Sequence, residues 1–158
     1  KGRGSVTSRF SDASTLQAAR VAWLKILVRV PAEALIQARA LFNFPLTRLK
    51  APEVGLMMTD GRIHATGQPF HLGEVSLTRC VLQDDSGCLG YGQILGRNRQ
   101  QAEAIAVLDL ALQRQDSSTK AEQLLVDWAA EIEEVDALEA ERVQQTAVEF
   151  FTMVRGEA

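Results

Sequence analysis

The sequence predicts an α+β fold, with an N-terminal helical hairpin, a mainly antiparallel β-sheet, two further helices and a C-terminal strand. Helical and strand-like segments follow one another in the order ααβββααβ. Short turns join the consecutive strand-like segments, which favours antiparallel pairing. With 158 residues, of which 46% are apolar, the chain is long enough to bury one core.

The chain is expected to contain one domain after a short leader. Residues 1–11 combine glycine and serine with basic side chains (Lys1, Arg3 and Arg9), so we expect a disordered leader there. Residues 12–158 are expected to form the single α+β domain.

Two helices are predicted at the start of that domain. Asp12 and Ser14 are suitable caps for a helix over residues 15–29. Pro31 suits the first turn of a second helix, over residues 32–42. The short connection between the two predicts an antiparallel helical hairpin.

The middle of the chain is rich in β-branched and apolar residues, which are typical of strands. A turn is predicted at Asp60-Gly61, followed by a polar loop or weak strand. A second turn is predicted at residues 84–87, where the sequence is Asp-Asp-Ser-Gly. The predicted extended segments cover residues 46–49, 54–59, 72–83 and 89–95.

Two more helices are predicted after the sheet. Asn98 is a suitable cap for a helix over residues 97–114. A heptad-like apolar stripe predicts a helix over residues 120–145. The acidic residues between Glu131 and Glu141 are expected to form a solvated helix face, or alternatively a surface for a basic partner.

Composition excludes several classes of function. The net charge of −3 argues against general nucleic-acid binding, which needs a basic surface. No apolar run approaches the roughly 20 residues that span a bilayer, so no membrane association is expected. Two cysteines, Cys80 and Cys88, do not make a disulfide framework, and we expect reduced thiols in a cytoplasmic protein.

Several short motifs resemble the G subunit of the carbon–phosphorus lyase core complex, which serves phosphonate catabolism. The similarity covers roughly residues 54–156. Neither the central motifs nor the last one is a common catalytic pattern, so their occurrence in order is specific. The matching positions are Ser76 to Arg79, Leu89 to Tyr91, Leu95 to Arg97, Gln100, Ala102, Glu103, Asp109 and Phe150 to Gly156.

In that family the G, H, I and L subunits together convert ATP and methylphosphonate into alpha-D-ribose 1-methylphosphonate 5-triphosphate and release adenine. Purine displacement is attributed to the I subunit, and radical cleavage to the J subunit. The resemblance therefore implies a cytoplasmic, structural subunit of a transferase complex, with H, I, J and L subunits as partners. The chain departs from the family pattern at Asn98-Arg99 and in its strongly acidic last helix.

The rival hypothesis is a free-standing nucleotide- or anion-binding protein that uses residues 96–99, whose sequence is Gly-Arg-Asn-Arg. Backbone N–H groups and the guanidinium groups of Arg97 and Arg99 at a helix N-terminus could bind an anion. The glycine spacing matches neither a Walker loop nor a dinucleotide fold, so no cofactor is expected. No histidine or cysteine pair has the spacing of a zinc knuckle, so no metal is expected.

Arg79 is predicted to lie on an apolar strand face with Val75, Leu77 and Val81. A buried guanidinium needs an acidic or carbonyl partner, and Asp109 on the following helix is the candidate. The alternative is that Arg79 extends to the edge of the sheet and reaches water.

The last predicted strand, residues 147–155, is apolar on both faces, so both faces are expected to be covered. Helices on one side of a sheet cover only one face. We therefore expect Phe151 and Met153, with Arg155 at the end of the strand, to contact another subunit. The alternative is a central strand that the chain's own helices bury on both faces.

Overall fold

The structure is a computed structural model that describes residues 13–62, 67–114 and 116–145. The described part contains four helices and one three-stranded antiparallel sheet in the order β1-β2-β3. The α+β prediction is therefore confirmed. The elements are α1 (Ala13–Leu27), α2 (Ala32–Arg39), β1 (Leu46–Arg62), β2 (Pro69–Asp84), β3 (Leu89–Leu95), α3 (Arg99–Gln113) and α4 (Ser118–Gln145).

The first strand is longer than the sequence predicts. The two extended segments expected at residues 46–49 and 54–59 form one strand, β1, with register shifts between Arg48 and Lys50 and between Lys50 and Glu53, the second of which spans Pro52. Bulges let a strand pass through a proline that would otherwise break the hydrogen-bond ladder. The turn predicted at Asp60-Gly61 is wrong, because β1 continues to Arg62.

The turn between β2 and β3 forms where it was predicted. Asp84 Oδ1 accepts hydrogen bonds from the backbone N–H groups of Ser86 and Cys88, each at 2.9 Å. Gly87 has a φ of 89°, which a residue with a side chain rarely adopts. Local hydrogen bonding by Asp and the freedom of Gly fix the hairpin register.

Helix α3 is the centre of the core. The Asn98 side chain accepts a hydrogen bond from the Gln101 N–H at 3.0 Å, so the predicted cap is confirmed. The helix is buried from residue 104 to residue 113, since the sheet covers one side and α1, α2 and α4 pack on the others. A Cβ atom on Gly92 would overlap the Ala102 carbonyl, so this glycine lets α3 lie against β3.

The side of the sheet that faces α3 carries the buried residues Thr78, Cys80 and Leu82 of β2. Cys80 and Cys88 are both free thiols, as expected. Burial raises the pKa of the Cys80 thiol to about 11. None of the helices in the described ranges is long and apolar enough to cross a membrane.

The predicted leader over residues 1–11 lies outside the described residues, and so does the predicted last strand over residues 147–155. The two N-terminal helices form close to their predicted positions, and the final helix begins two residues before its predicted start at residue 120. Helix α1 packs against α3 and α4, whereas α2 packs mainly against α3.

Candidate functional site

A buried carboxylate, Asp109, joins α1, α3 and β3. Its side chain is fully buried and pairs with Arg20 at 2.5 Å. It also accepts hydrogen bonds from Trp23 Nε1 at 2.8 Å and from the Tyr91 N–H at 2.9 Å. Because every one of these donors comes from the chain itself, Asp109 is part of the internal framework.

Helix α1 covers the outer edge of β3 through the same network. Arg20 donates to the Leu89 carbonyl at 3.2 Å, and its guanidinium lies 5.2 Å from the centre of the Tyr91 ring. Gln113 donates to the same carbonyl at 3.1 Å. The end of this edge at Leu89 and Tyr91 is therefore not open to another strand.

The prediction that Arg79 is buried and pairs with Asp109 is wrong. The Arg79 side chain is 49% exposed, and its Nη2 lies 3.6 Å from Glu53. The alternation of β2 places Thr78 and Cys80 toward α3, so Arg79 points to the opposite face. Asp109 instead pairs with Arg20 of α1. The sequence had not indicated Arg20 as its partner.

A second network surrounds Arg114, just after α3. Arg114 bonds Asp84 at 3.2 Å, Asp85 at 2.7 Å and Asp116 at 2.8 Å. Its guanidinium also lies 4.7 Å from the Phe44 ring centre. Hydrogen bonds from Arg114 hold the pKa of both Asp85 and Asp116 below the usual range. The network fastens the β2–β3 turn to the start of α4.

The corner at residues 96–99 is tied into the sheet. Gly96 donates its N–H to the Ser76 carbonyl at 2.7 Å and accepts from Thr78 Oγ1 at 2.7 Å. Arg97 Nε donates to Ser76 Oγ at 3.3 Å. These contacts assign a structural use to Ser76, Thr78 and Gly96, while Arg97 and Arg99 remain exposed.

The sheet face opposite α3 carries an exposed apolar surface. Leu77 pairs with Leu95, and Met57 pairs with Val75, all on the face that Arg79 shares. A Cβ atom on Gly61, four residues beyond Met57 on the same face, would meet the Leu72 and Phe70 side chains. The surface that we call the outer patch consists of Val28, Met57, Phe70, Leu72, Leu77 and Leu95.

The outer patch is large and almost uncharged. Leu72 is 67% exposed and Leu95 is 64% exposed, while Leu77, which pairs with Leu95, is 7% exposed. A cavity of about 430 Å³ opens at its corner, lined by Val28, Met57, Leu77, Gln93, Ile94 and Leu95. Several exposed large apolar side chains on one face of a sheet favour a site of protein association.

Sequence reasoning missed the outer patch because it took the wrong face of β2 as buried. The signal was present in the spacing of Met57, Val75 and Leu77, but periodicity alone does not say which face the helices cover. Phe151, Met153 and Arg155, the residues predicted to form an interface, lie outside the described residues.

The chain is similar to proteins of one known family. Residues 18–156 match the family described as phosphonate metabolism protein PhnG. The chain belongs to the PhnG family. It is 38% identical over 109 residues to a curated Rhizobium meliloti (strain 1021) protein, covering 69% of this chain and 70% of the relative. That relative is named alpha-D-ribose 1-methylphosphonate 5-triphosphate synthase subunit PhnG. The motif resemblance to this family is thereby confirmed, and the chain is a phosphonate metabolism protein.

Proposed function

We propose that this PhnG-family chain is a structural subunit of an alpha-D-ribose 1-methylphosphonate 5-triphosphate synthase in the carbon–phosphorus lyase core complex. The complex as a whole would act on ATP and methylphosphonate and release adenine in the cytoplasm. The H, I, J and L types of subunit are the proposed partners. The name of the Rhizobium meliloti relative supports membership of such a synthase.

The outer patch is the observation that supports a docking role. Its apolar side chains would be shielded from water by a partner, and full burial of each leucine would contribute about 1.5–3 kcal/mol. The sheet face beside it changes to charged and polar residues, including the Arg79–Glu53 pair, as at the rim of an interface.

The polar residues within the family motifs support a structural role. Asp109, Thr78 and Ser76 all bond groups of the chain itself. At the alternative anion site, the Gly96 and Gln101 N–H groups already have internal acceptors. These contacts favour a framework function over nucleotide binding by the isolated chain.

An omission experiment tests the proposal. The synthase is reconstituted from its other subunits with and without this chain, and adenine release from ATP and methylphosphonate is measured. We expect little release without the chain and none from the chain alone. Full activity without it, or turnover by the isolated chain, would refute the structural-subunit role.

The Arg97→Ala variant adds a test of the corner. Because the Arg97 side chain is exposed and makes one weak bond to Ser76, the variant should fold normally. We expect reduced assembly or reduced triphosphate formation in the reconstituted complex. Wild-type assembly and activity would remove any functional role for Arg97.

A further inference from the structure

The second half of α4 projects from the domain. Trp128 is 7% exposed and packs into the core, and Ile132 is partly buried against it. Every residue from 133 to 141 is exposed, so this stretch of helix has no covering layer in the described part of the chain. An exposed ion pair between Arg29 and Asp136 joins it to the domain.

An apolar seam continues from the packed half of α4 into the projecting half. Val135 and Leu138 follow Ile132 at intervals of three residues, so each lies about 60° further around the helix, and the seam turns gradually away from the side that packs on the core. Val135 is 58% exposed and Leu138 is 61% exposed. The apolar seam of α4 thus continues beyond the part of the helix that is covered by the described core.

The projecting half is also strongly acidic. Residues 131–142 contain six acidic residues and one basic residue, a net charge of −5. Like-charged pairs three residues apart, such as Glu131/Glu134 and Glu133/Asp136, repel each other along the helix. Negative charge near a helix C-terminus also opposes the helix dipole. An isolated helical segment of this length is marginal in water, so an external partner would stabilise it.

We propose that the projecting half of α4 docks into an apolar groove of a partner protein whose rim carries lysine and arginine. Val135 and Leu138 enter the groove, and the basic rim pairs with the acidic residues on both sides of the seam. A second copy of this helix would bring the same net negative charge and would be repelled, as would nucleic acid or an anionic membrane. The inference rests on the proposed function, because the partner is another subunit of that complex.

The test compares variants of the full chain for binding to the co-expressed partner subunits at low and high salt. Val135→Ser with Leu138→Ser removes the seam, and Glu133→Gln with Glu134→Gln and Glu141→Gln removes three charges. The matched control is Val126→Ser, which changes an equally exposed valine on the opposite side of α4. Circular dichroism checks that each variant folds.

We expect the seam variant to bind at least tenfold more weakly, while Val126→Ser binds like wild type. The charge variant should bind more weakly at low salt and lose part of the salt dependence. Wild-type binding by both the seam and charge variants would overturn the docking site while leaving the proposed function intact. Self-association that depends on Val135 and Leu138 would replace the basic partner with a second copy. Failure of the wild-type chain to bind any partner subunit would refute the proposed function, and the docking site with it.

Discussion

At the scale of single residues, the domain depends on arginines that reach carboxylates across long stretches of chain. Arg20 meets the fully buried Asp109, whereas Arg79 meets Glu53 in water. Removing one partner of a buried pair leaves an uncompensated charge, which is costly. Removing one partner of an exposed pair costs little, because water replaces it.

The first prediction compares these two arginines. Arg20→Ala should lower the free energy of unfolding by about 3–5 kcal/mol, because Asp109 is left buried without its cation. Arg79→Ala should lower it by about 0–1 kcal/mol. Urea unfolding of both variants beside wild type measures the difference. If Arg20→Ala and Arg79→Ala lowered the free energy of unfolding by similar amounts, burial of the ion pair would not determine its contribution.

The second prediction concerns pH and Arg114. Arg114 lowers the folded-state pKa of Asp85 and Asp116, so both carboxylates stabilise the fold at neutral pH. That contribution is fully present above the unfolded pKa of about 3.9 and is lost as pH falls through the lower folded pKa. Arg114→Gln should therefore lower the melting temperature at pH 7, by an amount that shrinks in acid. If the decrease in melting temperature is the same at every pH, packing of Arg114 on Phe44 contributes more to stability than its ion pairs do.

Ion pairs between residues far apart in the chain were the features that the sequence predicted least well. The sequence identified Arg79 as a cation in need of an acidic or carbonyl partner and offered Asp109 on the following helix, with an Arg79 side chain that reaches water as the alternative. The true partner is 89 positions away from Asp109 and depends on how α1 lies against β3. Side-chain pairing over that separation follows from packing, which periodicity does not encode.

At the scale of elements, α3 rests on β3 through glycines. Gly90 and Gly92 face the backbone of α3, where a Cβ atom would overlap the carbonyl oxygens of Ala106 and Ala102. A helix on a sheet normally stands off by the thickness of its side chains, and small residues shorten that distance. The close contact lets Asp109 reach the Tyr91 N–H.

The third prediction follows from that contact. Gly92→Ala should destabilise the chain by at least about 2 kcal/mol, because α3 must move away from β3. Gly55→Ala is the matched control, since its nearest neighbour would be Arg79 Nη2 at 3.8 Å. We expect the control to change stability by less than about 1 kcal/mol. Thermal unfolding measures both variants. An unchanged stability of Gly92→Ala would mean that α3 and β3 are not in close contact at Gly92.

Elements were predicted better than their packing. Local chemistry is sufficient for the Asn98 cap and the Asp84–Gly87 turn, because both are closed by hydrogen bonds within four residues. The bulges of β1 and its extension to Arg62 escaped prediction, since they depend on pairing with β2.

At the scale of the whole molecule, the chain has a well-connected interior and two surfaces without a described covering layer. The outer patch is apolar and nearly uncharged, whereas the projecting half of α4 combines an apolar seam with acidic flanks. The two differ in chemistry, so their contributions to assembly are expected to respond differently to salt. The sequence predicted an acidic face on α4, and the structure shows that Val135 and Leu138 of its seam are not covered by the described residues.

The central claim is that this PhnG-family chain enters its complex through the outer patch. The decisive measurement is the mass of the species formed with the partner subunits, by size-exclusion chromatography with light scattering. The test variant is Leu72→Asp with Leu95→Asp, and the control is Leu41→Asp with Leu49→Asp, which changes two exposed leucines outside the outer patch.

We predict that wild type and the control form the complex, while the test variant folds but remains free. A charge placed in an apolar interface is costly, so its association should weaken by orders of magnitude. Assembly of the test variant at wild-type level, or a wild-type chain that stays free, would contradict the account.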